Sequence, residues 1–318
     1  MHFDLFNGDA DGILSLLQLR LAKPKSSTLI TGVKRDIQLL KRVNAVAGDS
    51  ITVLDISLDK NAEPLALLLQ AGVTVEYFDH HQADKLTPHP NLTAHINTAA
   101  NCCTALLVDN YLAGRYRRWA IVAAYGDNVV AVADKLAKQA GLTNRQAQQL
   151  RELGTLLNYN SYGDSVSDLH IAPTQLFSQL LPYACPLDFI AASDSPFRFL
   201  QQAFAEDMAL AQQIQPLHVG EHSAVYDLGS QPWSRRISGV FGNTLANRYP
   251  RRAHAVLTGN ADGSHRVSVR APLANKIGAD TLCSQFVGGG GRQAAAGINR
   301  LPAAQLSQFI QALINQYS

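Results

Sequence analysis

Three apolar, strand-like runs each stop at an acidic motif, and no other feature restricts the fold of this chain as much. His2-Phe3-Asp4-Leu5-Phe6 runs into Asn7-Gly8-Asp9-Ala10-Asp11-Gly12, Ile51-Thr52-Val53-Leu54 into Asp55-Ile56-Ser57, and residues 73–78 into Asp79-His80-His81. Helical spacing fills the intervals, so the order is βαβαβ, which implies parallel strands joined by right-handed crossovers. Parallel strands place their carboxyl ends on one edge. Asp9, Asp11, Asp55, Asp79, His80 and His81 are therefore expected in one crevice.

Carboxylates crowded in this way cannot all stay ionised unless protons or cations come between them. Mixed oxygen and imidazole ligands suit Mn²⁺, Fe²⁺, Zn²⁺ or Mg²⁺. Two such ions, typically ~4 Å apart, can activate water and aim it at phosphorus. The crevice reads as a phosphoesterase site.

A length of 318 residues suits two domains rather than one core. The net charge of +2 provides no long electrostatic track for nucleic acid, which favours a small substrate or a short piece of a large one. Met1-His2-Phe3-Asp4 lacks the basic start and apolar centre of a signal peptide, and no apolar run approaches membrane-spanning length, so a cytoplasmic protein is expected. Cys102, Cys103, Cys185 and Cys283 lack CxxC spacing and read as reduced core or near-core thiols.

Residues 13–22 have helical spacing with too many leucines for a surface helix, and Lys23-Pro24-Lys25 ends the segment. Residues 27–33 read as a second strand, 36–46 as a second helix with an acidic start, and 61–72 as a third helix closed by glycine. A polar loop over 82–91, a strand near 93–96 and a helix over 104–113 follow. The cluster Arg115-Tyr116-Arg117-Arg118 reads as the solvated start of a helix. Asp127, beside Gly126 at the end of an apolar run, is the best candidate to complete the acidic crevice. The polar and aromatic stretch 156–164 suits a cleft lining.

The character changes between about residue 191 and residue 220, after a helix over 197–214. Residues 224–228 and 253–257 read as strands, and Asn260-Ala261-Asp262-Gly263-Ser264 turns the second into 265–270. Alternation there sends Val267 and Val269 to one face and Arg266, Ser268 and Arg270 to the other. The run Gly288-Gly289-Gly290-Gly291-Arg292 lets backbone amides approach an anion closely. Its GxGxxA pattern follows a helix-like segment where a strand is required, so a Rossmann cofactor site is rejected.

Taken in order, Asn7-Gly8-Asp9-Ala10-Asp11-Gly12, Asp55, Asp79-His80-His81 and Gly126-Asp127 resemble the four catalytic motifs of the DHH phosphoesterases. That superfamily includes RecJ-type nucleases, nano-RNases, cyclic-dinucleotide phosphodiesterases and exopolyphosphatases. Arg270 and the glycine stretch resemble its smaller associated domain, which grips substrate. The resemblance implies an α/β fold: a parallel-sheet, Rossmann-like catalytic domain over 1–190, a helical linker over 191–219, and a smaller α/β substrate-binding domain over 220–318. It further implies two Mn²⁺ ions, with Mg²⁺ or another divalent ion as substitutes. Asp9 and Asp55 would hold one ion, and Asp11, Asp55, His80 and Asp127 the other. Asp55 would bridge the two, His81 would lie next to the bridging hydroxide or the phosphate, and Asp79 would fix an imidazole tautomer.

Two positions depart from the pattern. Asn7 stands where many members have His, and Arg292 follows the glycines where His is usual. Arginine cannot act as an acid or base, yet its planar fork binds phosphate well. Asn7, Arg270, Gly289, Gly290, Gly291 and Arg292 are therefore taken as substrate-binding. The expected activity is hydrolysis of short 5'-phosphorylated oligoribonucleotides, chiefly dinucleotides such as pGpG. Alternatives are a 3'-phosphoadenosine 5'-phosphate phosphatase, a RecJ-like exonuclease, an exopolyphosphatase, or a catalytically dead nucleotide sensor. The expected partner is a short nucleotide, with no membrane, and a homodimer is open.

Overall fold

Strands covered on both faces carry unbroken apolar runs, and such strands build the first of two units. The computed structural model describes residues Met1–Ser318, divided into Met1–Gln201 and Gln202–Ser318. The first unit runs β1 (His2–Phe6), α1 (Ala10–Ala22), β2 (Thr28–Ile30), β3 (Ser50–Leu54), α2 (Ala62–Gln70), β4 (Thr74–Asp79) and β5 (Leu92–Ile96). Helices α3 (Thr104–Tyr111), α4 (Arg117–Gly126), α5 (Val130–Gln139), α6 (Asn144–Tyr159), α7 (Pro173–Leu180) and α8 (Pro186–Ala191) follow, and the division between units falls within α9 (Phe197–Gln213).

The sheet order is β2-β1-β3-β4-β5, and every neighbouring pair is parallel. Phe3, Leu5, Ile51, Val53, Val75 and Tyr77 alternate onto one face, where Leu65, Leu68 and Leu69 of α2 cover them. On α1 every residue from Ala10 to Arg20 is buried, as its leucine content requires. It packs against α3, α4, α6 and α7.

Residues 36–46 do not form the expected helix; only a single 3₁₀ turn, Leu39–Arg42, is present. Asn61 explains the difference. Its side chain accepts the Leu40 N–H (3.3 Å) and donates to the Ile37 carbonyl (2.6 Å), so tertiary partners satisfy backbone groups that a helix would have paired.

The second unit comprises β6 (His218–Val219), β7 (Ser223–Asp227), α10 (Pro232–Arg248), β8 (Ala253–Gly259), β9 (His265–Arg270), α11 (Ala279–Cys283), β10 (Gly289–Arg292), β11 (Ala295–Leu301) and α12 (Leu306–Tyr317). Its sheet order is β10-β11-β9-β8-β7-β6, antiparallel except for the β7–β8 pair that α10 connects. Val267 and Val269 enter the core with Phe286, Phe309 and Leu313, in keeping with the alternation of β9. The glycine run is an edge strand of a hairpin. A Cβ at Gly289 would lie 1.9 Å from the Cys283 carbonyl oxygen, so only glycine lets α11 and β10 meet.

Candidate metal centre

Parallel β1, β3 and β4 bring their carboxyl ends together, and α1 starts there as well. Asp9 caps α1, accepting the Gly12 N–H at 3.0 Å, and Asp11 sits in the first turn. Asp55 follows β3 with φ of 59°, a left-handed conformation that aspartate tolerates better than most residues. Asp79 ends β4, immediately before His80 and His81. Asp127 arrives differently, as the residue that caps the C-terminus of helix α4. Gly126 permits this approach, because a Cβ there would lie 2.6 Å from the Ala10 Cβ.

His80 donates from Nδ1 to the Cys102 carbonyl (3.1 Å), because a carbonyl can only accept. Its Nε2 then faces Asp55 Oδ1 at 3.5 Å, Asp127 Oδ2 at 3.9 Å and Asp11 Oδ2 at 4.0 Å. Asp11, His80 and Asp127 each offer one donor atom within 4.8 Å of the others, and Asp55, His80 and His81 do the same. Asp11 is held by the first amides of α3, from Thr104 (2.7 Å) and Ala105 (2.8 Å), and the Thr104 hydroxyl donates to Asp55 (3.1 Å).

Asp79 acts on the other imidazole. Fully buried, it accepts from His81 Nδ1 at 2.7 Å and from the His80 N–H at 2.8 Å. That leaves His81 Nε2 as the free nitrogen. Burial lowers the pKa of His81, but its bond to Asp79 outweighs this and the net shift is upward.

The carboxylates of the crevice raise one another's pKa values. Burial, then the charges of Asp11, Asp9 and Asp127, drive the Asp55 carboxyl well above the usual carboxylate range. Burial and Asp11 push Asp127 up to about 6, with Lys34 opposing. An ion set among these oxygens and the His80 nitrogen would relieve the crowding, and hard or borderline divalent cations suit such donors.

Asp9 belongs to neither group, although its carboxyl lies against that of Asp55. The Lys34 ammonium bonds to Asp9, and Lys34 also donates to Asn158 Oδ1 (3.2 Å) and lies 3.9 Å from Asp127 Oδ1. Lys34 lowers Asp9 against the effect of burial, and Asp9 in turn holds the Lys34 ammonium well above its ordinary range. Asn7 is buried. Its amide donates to the Lys34 carbonyl (3.1 Å), and its oxygen accepts the Asp9 N–H (3.2 Å).

Sequence reasoning missed Lys34, Thr104 and Asn158. A signal for Lys34 existed, because it follows the second strand of the parallel set and so falls on the same edge as the acids.

Arg270 and the glycine run lie in the second unit. Register places Arg270 beside Ala295, and Ala295 beside Arg292, so both arginines share one row and one face across three strands. Arg270 donates to Asn243 Oδ1 (2.7 Å) and Ser268 Oγ (2.9 Å), which fix its guanidinium.

No protein-family model matches the sequence, and no curated protein matches it. Solved structures do match. A pGpG-specific phosphodiesterase, PggH of Vibrio cholerae, aligns over 99% of this chain and 98% of its own at 17% identity, with a TM-score of 0.57. A RecJ exonuclease bound to manganese aligns over 99% and 89% at 17% identity, with a TM-score of 0.61. RecJ of Thermus thermophilus in complex with Mn²⁺ aligns over 98% of this chain and 51% of its own at 17% identity, with a TM-score of 0.56. The likeness establishes the fold. RecJ-type nucleases are among the DHH enzymes that the motifs resemble, so sequence order and architecture agree, and the expected α/β fold is borne out.

Proposed function

We propose that this protein is a divalent-metal-dependent phosphoesterase that hydrolyses very short 5'-phosphorylated oligoribonucleotides, with the linear dinucleotide pGpG as preferred substrate. One observation carries the reading: Asp11, Asp55, Asp127 and His80 Nε2 converge at the carboxyl edge of a parallel sheet with His81 beside them. Full-length likeness in fold to a pGpG-specific phosphodiesterase supports the substrate class.

Asp11, Asp55, His80 and Asp127 would hold the ion, and Mn²⁺ is the first choice because the RecJ structures of this fold contain it. Such an ion lowers the pKa of a water molecule and neutralises charge that develops on phosphoryl oxygens. The α3 amides and the Thr104 hydroxyl keep Asp11 and Asp55 in position without reorganisation during turnover. His81, its Nδ1–H bound to Asp79, can give its Nε2 proton to the departing 3' oxygen as water bonds to phosphorus. Asp79 thus acts through His81. Arg270 and Arg292, which share one row and one face of the second unit's sheet, would bind a phosphate of the substrate.

The test is product formation with Mn²⁺ from pGpG and from the same sequence extended to about seven nucleotides, since length separates a closed pocket from a tracking groove. Mononucleotide release from the dinucleotide alone is expected. Equal cutting of the longer strand would refute the length limit and favour an exonuclease. Inertness toward both with Mn²⁺, Mg²⁺ and Zn²⁺ would refute the phosphoesterase reading.

A further inference from the structure

We propose that Lys34 is a built-in cation on the Asp9 side of the crevice, so that this centre takes one divalent ion rather than two. The inference rests on the metal-centre reading above and deepens it.

Three observations carry it. The ammonium already occupies the Asp9 carboxylate: one oxygen of Asp9 accepts from Lys34 and the other caps α1 through Gly12. Asn158, and at longer range Asp127, surround the same nitrogen. An ion at Asp9 would have to expel a bound positive charge and leave it beside two carboxylates that now serve the metal.

The backbone of Lys34 is also clamped. Its N–H donates to the Ser161 carbonyl (2.9 Å) and its carbonyl accepts from Asn7 (3.1 Å), so the side chain enters the crevice from a fixed root. Both ends of the Asn7 side chain are engaged, the amide by the Lys34 carbonyl and the oxygen by the Asp9 N–H. The neutral residue in the first motif and the lysine past the second strand thus form one device.

Both metal donor groups, finally, exclude Asp9. An ammonium has three donors. Asp9 and Asn158 take two of them, and the third remains for an anionic oxygen of the substrate. Lys34 would then supply the charge and contact that a second ion would otherwise provide.

Manganese stoichiometry decides the matter. Wild-type protein and Lys34→Met are dialysed against excess Mn²⁺, bound metal is measured by elemental analysis, and the spectrum is recorded by electron paramagnetic resonance. Wild type should bind one Mn²⁺ per chain with the resolved hyperfine pattern of an isolated ion. Lys34→Met should bind a second and show the broadened signal of a spin-coupled pair. Two coupled ions in wild type would overturn the inference but leave the phosphoesterase reading standing. One ion in both proteins would also overturn it, since something other than Lys34 would then exclude the second ion. No bound Mn²⁺ in wild type would overturn the metal-centre reading on which it rests. Should Lys34→Met fail to fold, the wild-type count still discriminates.

Discussion

Metal-free protein should lose stability as pH rises toward neutrality, and Mn²⁺ should restore it. The group to follow is Asp127, which burial and the Asp11 charge push up from 3.8 to about 6 while Lys34 opposes. Between those two values the folded state retains a proton that the unfolded chain has released. Stability is therefore full below the unfolded pKa, falls as pH climbs through the folded one, and stays low above it. A gap of roughly two pH units corresponds to about 3 kcal/mol. The Asp127 side chain is 22% exposed, and solvent screening reduces the effect to about 2 kcal/mol.

For a unit of roughly 200 residues that is about 4–8 °C in melting temperature. Thermal unfolding of chelator-treated wild type and Asp127→Asn, from about pH 5 to about pH 7.5, isolates this residue because other acids cancel in the difference. The variant should melt higher than wild type at the upper pH and match it more closely at the lower. Added Mn²⁺ should stabilise wild type more at the upper pH, where fewer protons compete for the ligands, and should stabilise the variant less. An Asp127→Asn protein that melts below metal-free wild type at the upper pH would refute the reasoning.

Asp4→Ala should cost on the order of 3–5 kcal/mol, because it strips a buried Arg20 of its partner; urea unfolding reads the loss, and turnover per folded molecule should not change. Gly289→Ala forces a methyl onto the Cys283 carbonyl and should destabilise the second unit by about 1–3 kcal/mol, seen as faster proteolysis within residues 202–318. Asp79→Asn removes the charge that holds the His81 pKa up, so the alkaline limb of the kcat profile should move to lower pH. An unmoved limb would show that His81 is not the proton donor.

Much of the first unit was legible because parallel strands covered on both faces announce themselves as apolar runs, and their direction puts the following residues on one edge. Asp9, Asp11, Asp55, Asp79, His80 and His81 gather there, each at a strand end or helix start that local pattern located. The leucines of α1 likewise told its burial. The failed helix over 36–46 shows the limit: its pattern was helical, but Asn61, remote in sequence, took the backbone bonds.

Asp127 illustrates another limit. Its apolar approach fitted strand or helix, and only the packing of α4 against Ala10 showed that a helix end delivers it. By itself, then, the sequence determined the parallel arrangement, the acidic edge and the order of the motifs, since these follow from periodicity and chain direction. Tertiary structure alone decided which imidazole Asp79 orients, which nitrogen of His80 faces the acids, and that Lys34 fills the space beside Asp9. The reason is physical: hydrogen bonds and charge pairs act over a few ångströms, so their partners are chosen by packing between segments that the local pattern leaves independent.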